Sequence, residues 1–463
     1  MEESKRVKVL QFVQNALEFG DSVVLPTHID RHLMAFADEE FGQNWIEMQE
    51  VVDILSAGIR VLSGFKSGME PPKYDLGSLM AHLFGHGPLH FHKVPLLLRS
   101  LLRKGVLKNK LKILDVGAGT GVASLSAIYF FELLVCAQRM AIGAQEDYHL
   151  TFTALDILDE ALRLYQKHLQ SYRPAFPEVK VDVASPVQTT LSGEPDSLAN
   201  TLGRERYDLI LASHVLGEMR KSSITQRSKL LMELGKFLEP GGSILFVESA
   251  STATINEMNQ LKGRAVGEGL TLFAPCANAW EKPMGRQCYS CVNSSYQKVR
   301  RPLIADIIGT VCEDYNFEQL AAANVWVHGI LRADDVVHHS QLEIGSGLFT
   351  KLSEVPQAEA GRSTVYGSVA KMEIGRVDNE PYFKLCDQSC GSDVAWLKFA
   401  PEVGVPALEN GDVLELENVR VEPAKGGKNK IFLIVDTETR MRNLSSDFRS
   451  LPSKHVLTQE VLG

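Results

Sequence analysis

The stretch PCANAWEKPMGRQCYSC, residues 275–291, holds three of the chain's seven cysteines. Cys288 and Cys291 stand in a C-x-x-C spacing, which lets two thiolates reach one metal centre. Cys276 lies upstream, across a segment that contains Pro283 and Gly285. Three soft donors so placed point to zinc or an iron–sulfur centre. A redox dithiol and inert thiols are the competing readings. A thioredoxin-type C-x-x-C follows the first strand of its own fold, and this pair stands elsewhere. A closed site needs a fourth donor, and Cys312, Cys386 and Cys390 are the candidates. Cys312 sits in ADIIGTVCEDY, a helical pattern in which a thiol commonly packs as core. Cys386 and Cys390 sit in YFKLCDQSCGS, at a predicted strand end.

A second chemistry is written in ILDVGAGTGVASLSAIYF, residues 113–130. An apolar run ends at Asp115, and Gly117, Gly119 and Gly121 follow before a helical pattern of small residues. Glycines there let a ligand approach the backbone where a Cβ would block it. The dinucleotide fingerprint spaces its glycines as G-x-G-x-x-G. The tighter G-x-G-x-G with a preceding Asp instead resembles motif I of the S-adenosylmethionine-dependent methyltransferases, and a nicotinamide-binding fold is the alternative. Asp156 ends the next run, LTFTALDI, where a carboxylate can accept both hydroxyls of a ribose. Its other reading is an N-cap for the helix that follows. Asp182, in KVDVASP, ends a third run at a place that flanks an adenine. His214, in YDLILASHVLGEM, occupies the slot where amino-group methyltransferases carry an Asn/Asp-Pro-Pro-Tyr/Phe motif. That device is missing, so His214 is a weak candidate base, with a structural role as the blander reading.

These residues need elements to hold them. Residues 1–108 read as a helical N-terminal region, with apolar spacing of helical period over 44–65 and 92–107. Between those helices, GSLMAHLFGHGPLHFHK carries His82, His86, His90 and His92 and reads as a loop rich in Gly and His. No carboxylate or thiolate lies beside these histidines to complete a metal site. Residues 109–335 alternate strand-like and helical runs, the pattern of βαβ units on a parallel sheet, with a Cys-rich insertion at 275–302. Residues 361–450 hold about five short strand-like runs punctuated by Gly, Asn, Asp and Pro, which reads as a small OB-like β-barrel domain. The expected fold class is thus α/β: a Rossmann-like methyltransferase fold, a helical N-terminal region and a C-terminal barrel. Two basic runs follow the thiols: Lys298, Arg300 and Arg301, then Arg420, Lys425, Lys428 and Lys430 between two predicted strands. On an OB-type barrel such a loop lies near the nucleic-acid face. Tyr382, Phe383 and Trp396 could supply stacking surfaces; core aromatics and a solvated hairpin tip are the plainer reading.

The bulk numbers narrow the class. With 463 residues, 44% apolar and 23% charged, the composition is that of a globular protein of two or three domains. A formal net charge of −9 excludes general polyanion binding, so any nucleic-acid contact must be local. The start, MEESKRVKVLQFVQNALEFGDS, lacks the pattern of a secretory signal or transit peptide, and no uninterrupted apolar run of membrane-spanning length is read. A cytoplasmic chain without a disulfide framework is expected.

Four stretches together, LDVGAGTGVAS, YDLILASHVLGEM, APC…CYSC…RRP and YFKLCDQSCGS, resemble the methyltransferase-like proteins associated with the small ribosomal subunit. These are known in mitochondria, with relatives in archaea and bacteria. The likeness covers roughly residues 75–445, and the Cys-rich block is its most specific part. The resemblance implies S-adenosylmethionine bound at Asp115, the three glycines and Asp156. It implies a [4Fe–4S] cluster, with zinc as the alternative, on Cys276, Cys288, Cys291 and Cys386, Cys390 being the alternate fourth ligand. It also implies binding to small-subunit rRNA or its particle during ribosome assembly or translation; a monomer with no membrane partner is expected. A non-catalytic assembly factor and a zinc-stabilised small-molecule methyltransferase are the other functions in keeping with the residues.

Overall fold

The computed structural model describes residues 2–443 apart from 18–21, 24, 65–73, 192–196, 220–221, 275–291, 295–297, 314, 323–324, 337–349, 351, 353, 356–360, 378–379, 388–394, 407, 409–412 and 424–430. The described chain falls into two compact units. One holds residues up to 254 together with 294–326, and the other holds 255–293 together with 327–443.

In the first unit, helices α1 (Glu3–Leu17), α2 (Thr27–Phe41) and α3 (Gln49–Gly64) precede the sheet. Helix α4 (Leu76–Ala81) starts at a capping box in which Asp75 and Ser78 each accept from the other's backbone N–H. It crosses α3 where two glycines meet. A Cβ on Gly58 would lie 2.3 Å from the carbonyl oxygen of Gly77, so only hydrogen allows the approach. The histidine-rich segment is helical, not the loop its glycines suggest. A π-helical turn spans His82–His86, followed by α5 (Gly87–His90) and α6 (Lys93–Lys104). Pro88 does not break it, because a proline in the first turn of α5 lacks only an N–H that would have no helical partner.

Five parallel strands follow: β1 (Lys110–Val116), β2 (Tyr148–Asp156), β3 (Val179–Val183), β4 (Tyr207–Ser213) and β5 (Leu238–Ser249). Their order is β3-β2-β1-β4-β5, with Asp115 level with Ala154 on one side and Leu211 on the other. The central strands β1 and β4 are mostly buried, as expected where helices cover both faces of a sheet, while the edge strand β3 alternates buried and more exposed residues. The chain winds outward from β1 one way and then returns to lay β4 on its other side. That reversal opens a crevice at the carboxyl ends of β1 and β4, where α/β sheets bind ligands. Helix α7 (Val122–Ile142) leaves the crevice floor. It is long and apolar enough to cross a membrane by composition, yet 78% of its most apolar stretch is buried inside the fold. The unit continues with α8 (Asp159–Ser171), α9 (Val215–Glu218), α10 (Ile224–Lys236) and α11 (Leu303–Val311). Asp30 of α2 caps α11, accepting from the N–H groups of Leu303 at 2.6 Å and Ile304 at 3.1 Å.

In the second unit, strand Thr271–Ala274 pairs antiparallel with Val325–Arg332, placing Ile330 opposite Ala274. Its main body is a barrel of β6 (Gly361–Val377), β7 (Glu380–Cys386), β8 (Ala395–Phe399), β9 (Val413–Pro423) and β10 (Ile431–Val435). Strand β6 pairs with β7, β7 with β8, β8 with β10, β10 with β9, and β9 back with β6. The pairs are antiparallel except β8 with β10, so the circuit closes in the order 1-2-3-5-4-1 of an OB-type barrel. Alternate residues fill its centre, among them Phe383, Leu385, Leu397, Val421 and Leu433. Phe383 is therefore core and supplies no stacking surface. Tyr382, Trp396 and Phe432 alternate to the outside. There Tyr382 stacks on Trp396 at 5.0 Å, and Lys398 Nζ sits 4.5 Å over the Phe432 ring.

Candidate functional site

A cavity of about 310 Å³ opens at the crevice of the first unit. The β1–α7 loop, the ends of β2 and β4, and the π turn with α5 all line it.

The loop is shaped by its glycines. Gly117 and Gly119 have φ of +63° and +51°, the left-handed region that disfavours side chains. A Cβ on Gly117 would meet Val215 at 2.6 Å, whereas around Gly119 there is open space for a ligand. The Gly119 N–H donates to Asp156 Oδ2 at 2.9 Å, and the Leu158 N–H donates to Asp156 Oδ1 at 3.0 Å. One carboxylate thus ties the loop to β2 and also caps the turn into α8. Gly121 carries φ of +88° at the start of α7.

Asp115 is fully enclosed at the end of β1. Burial pushes its carboxyl up to about 7, against the opposing pull of a 2.6 Å hydrogen bond that Ser124 Oγ donates to Oδ2. Tyr165 OH lies 2.8 Å from the same Ser124 oxygen and serves as its donor. Asp115 Oδ1 and Thr120 Oγ1 are buried with no hydrogen-bond partner, and both residues line the cavity. A buried acceptor without a donor is costly. This site therefore suits a ligand that brings a positive or hydrogen-bonding group.

The opposite wall holds titratable side chains. His214 follows β4 at φ +62°, a strained setting for a residue with a side chain. Its backbone N–H donates to Val247 O at 2.7 Å, which pins the turn. His90 lies against it with ring centroids 4.3 Å apart, and His82 lies 6.0 Å from His90. His82 opens the π turn and His90 ends α5, and both line the cavity. Behind them Lys93, 1% exposed, holds Nζ 2.6 Å from His90 Nδ1 and 3.3 Å from His214 Nε2. Burial lowers the Lys93 ammonium to about 7 and depresses the His90 and His214 imidazoles. Nearby, Tyr74 OH donates to Glu218 Oε1 at 2.9 Å, and burial raises Glu218 to about 7. Glu248 under the α9 turn is raised to about 8 by burial, opposed by backbone hydrogen bonds from Gly217 and Leu216.

Asp115, Gly117, Gly119, Asp156 and His214 meet around this cavity, and Gly121 adjoins it at the start of α7. Asp182 does not line it; its carboxylate lies 2.5 Å from His149 Nε2 on an exposed edge, and Thr190 and Leu191 line the cavity instead. Arg301 is held by Asp306 at 2.9 Å and Glu318 at 3.6 Å, while Arg300 is exposed. Arg420 lies 3.6 Å from Glu422 and 3.7 Å from Asp436. Cys386 is buried at the end of β7, and Cys312 is enclosed at the C-terminus of α11. Cys276, Cys288, Cys291, Cys390, Lys425, Lys428, Lys430 and the side chain of Lys298 lie outside the described residues. Among the described residues no group of His, Cys, Asp and Glu is arranged to hold a metal ion. The sequence pattern alone does not single out His90 and Lys93, whose partner His214 lies more than a hundred residues on in sequence. The crowding of four histidines before a helix was the available signal.

Residues 90–298 match a family model described as a methyltransferase domain. No curated protein matches the chain significantly in sequence. Similar solved structures include the N-methyltransferase NodS from Bradyrhizobium japonicum WM9 with S-adenosyl-L-homocysteine, at 16% identity and TM-score 0.28, covering 60% of this chain and 97% of that one. The plantazolicin methyltransferase BpumL with SAH is similar at 14% identity and TM-score 0.30, covering 61% of this chain and 98% of that one. An S-adenosylmethionine-dependent methyltransferase from Clostridium acetobutylicum ATCC 824 matches at 14% identity and TM-score 0.24, over 38% of this chain and 58% of that protein's length. Residues 90–298 thus resemble a methyltransferase domain, and the strands within them form a Rossmann-like parallel sheet.

Proposed function

We propose that the chain is an S-adenosylmethionine-dependent methyltransferase-like protein that binds small-subunit ribosomal RNA and carries a cysteine-bound iron–sulfur cluster. The observation that carries the cofactor reading is the unpartnered, buried Oδ1 of Asp115 beside the open space at Gly119. In this reading Asp115 and Thr120 meet the polar end of the methionine portion, and the glycine loop lies along it. Asp156 holds the ribose, and Ile157, 57% exposed and lining the cavity, is covered by the adenine.

The RNA reading is supported by the barrel. Its circuit has the OB order, and the basic run 424–430 connects its fourth and fifth strands, β9 and β10. Loops at that place, with aromatics on the neighbouring outer face, serve oligonucleotide binding in OB-folds. Tyr382, Trp396 and Lys398 are such a set. The cluster reading rests on the resemblance and on Cys386, a buried thiol at a strand end. The cluster would be held by Cys276, Cys288, Cys291 and Cys386.

The test is calorimetry of the anaerobically purified full chain with S-adenosylmethionine, followed by tritiated methyl transfer to small ribosomal subunits. Binding with label in the rRNA is the expected result. Absence of binding overturns the cofactor reading. Binding with no label in any particle favours an assembly factor that uses the fold as a platform.

A further inference from the structure

The missing Asn/Asp-Pro-Pro-Tyr/Phe device leaves the acceptor wall of the cavity to other residues, and the structure puts a buried amine between two imidazoles there. We propose that His90 takes the proton of the methyl acceptor and hands it through its ring to Lys93, so that the site serves acceptors whose N–H or O–H must be lost. This rests on the methyltransferase reading of the cavity.

The geometry assigns the roles. His90 Nδ1 is engaged by Lys93 Nζ at 2.6 Å, and His90 lines the cavity, so Nε2 is the ring nitrogen left for a ligand. Both nitrogens of His214 face protein partners: Nε2 meets Lys93 Nζ at 3.3 Å, and Nδ1 lies 3.4 Å from Ser249 Oγ. His214 is then the residue that steadies the amine, and His90 is the acceptor. His214 stands in a left-handed turn, and its Nε2 faces Lys93 Nζ.

Lys93 exists in two states, and each fixes a tautomer of His90. As an ammonium it donates to His90 Nδ1, which leaves the His90 proton on Nε2. As a neutral amine it accepts from Nδ1–H, which leaves a bare lone pair on Nε2 facing the cavity. S-adenosylmethionine supplies an electrophilic methyl group, and its sulfur keeps the electron pair as the S–CH3 bond breaks and the acceptor–CH3 bond forms. The acceptor's proton passes to His90 Nε2, the Nδ1 proton passes to Lys93 Nζ, and one ammonium is formed for one proton lost. His214 Nε2 accepts from that ammonium, the Trp326 ring centroid lies 6.0 Å from Nζ, and Glu248 favours the charge. The other groups around the pair are imidazoles, His82, His86 and His92, all depressed by burial and neutral at pH 7. With Lys93 near 7, both states are populated at neutral pH, as a proton store requires.

The test is a pH series of histidine 15N spectra on the intact protein, with His90→Gln used for assignment. The His90 proton should move from Nε2 to Nδ1 as pH rises, with the Nε2–H form at about nine-tenths at pH 6 and about one-tenth at pH 8. Lys93→Met, which keeps the bulk and removes the amine, should abolish the exchange. A His90 tautomer constant from pH 6 to 8 in the unsubstituted protein overturns the proposal, as does an exchange that persists in Lys93→Met. Calorimetry with S-adenosylmethionine on the same samples separates the two readings. An exchange without cofactor binding overturns the methyltransferase reading and leaves the amine–imidazole pair standing.

Discussion

Asp115 shows how a single buried carboxyl couples ligand binding to pH. Its proton is held up to about pH 7 by burial, so a cationic ligand must displace that proton at lower pH. Affinity for S-adenosylmethionine should therefore fall about tenfold per pH unit below 7 and level off above it. The same shift acts in reverse on the unliganded protein. The folded state keeps a proton that the unfolded chain releases near pH 4, so the contribution of Asp115 to stability falls as pH rises from about 4 to 7. Asp115→Asn keeps the acceptor for Ser124 and removes the charge. It should weaken the cofactor by about tenfold to a hundredfold, from about 1.5–3 kcal/mol for a hydrogen bond to a charged group, and flatten the pH profile in calorimetry. Asp115, Asp156 and the glycines are readable in the sequence because their work is local: each closes a strand or opens a helix beside itself. His90 and Lys93 are not, because their partner His214 follows β4, 121 residues from Lys93 in sequence.

At the scale of elements, the wall that holds the histidines depends on how closely α3 and α4 approach. Gly58→Ala would drive a methyl group into the Gly77 carbonyl, at an ideal separation of 2.3 Å. Overpacking of this kind costs about 1–3 kcal/mol. The expected result is a lower urea midpoint. Weaker cofactor binding should accompany it, because α4 runs directly into the π turn that presents His82 to the cavity. Element type was legible wherever periodicity was strong: β1, β2, β4 and β5 are buried apolar runs, and α6 follows its spacing. The segment 76–92 was not, because Gly85, Gly87 and Pro88 carry turn-like signals in sequence while packing in space. Gly85 makes room for Tyr315, whose OH donates to the Gly85 carbonyl at 2.8 Å, and Pro88 falls in a first turn where it does no harm. Phe383 illustrates the barrel's version of the problem, since a one-residue change of register decides whether an aromatic is core or surface.

At the scale of the whole molecule, the cluster is the main test. Cys386→Ser should lose iron as fully as Cys288→Ser, while Cys312→Ser should retain it, read by absorption and metal analysis after anaerobic purification. Zinc without iron would overturn the cluster, and retention of iron in Cys386→Ser would overturn its fourth ligand. The closed barrel carries a further consequence for how the chain is made. Strand β6 is synthesised first, yet it completes its pairing only with β9, and β8 must wait for β10. No prefix of the barrel that stops before Ile431 can satisfy its own edges, so a ribosome translating this region exposes unpaired strand edges until β10 emerges. Nascent chains stalled before that point are the species most open to proteases and to mispairing with one another, and release of β10 from the exit tunnel is the event that ends that exposure.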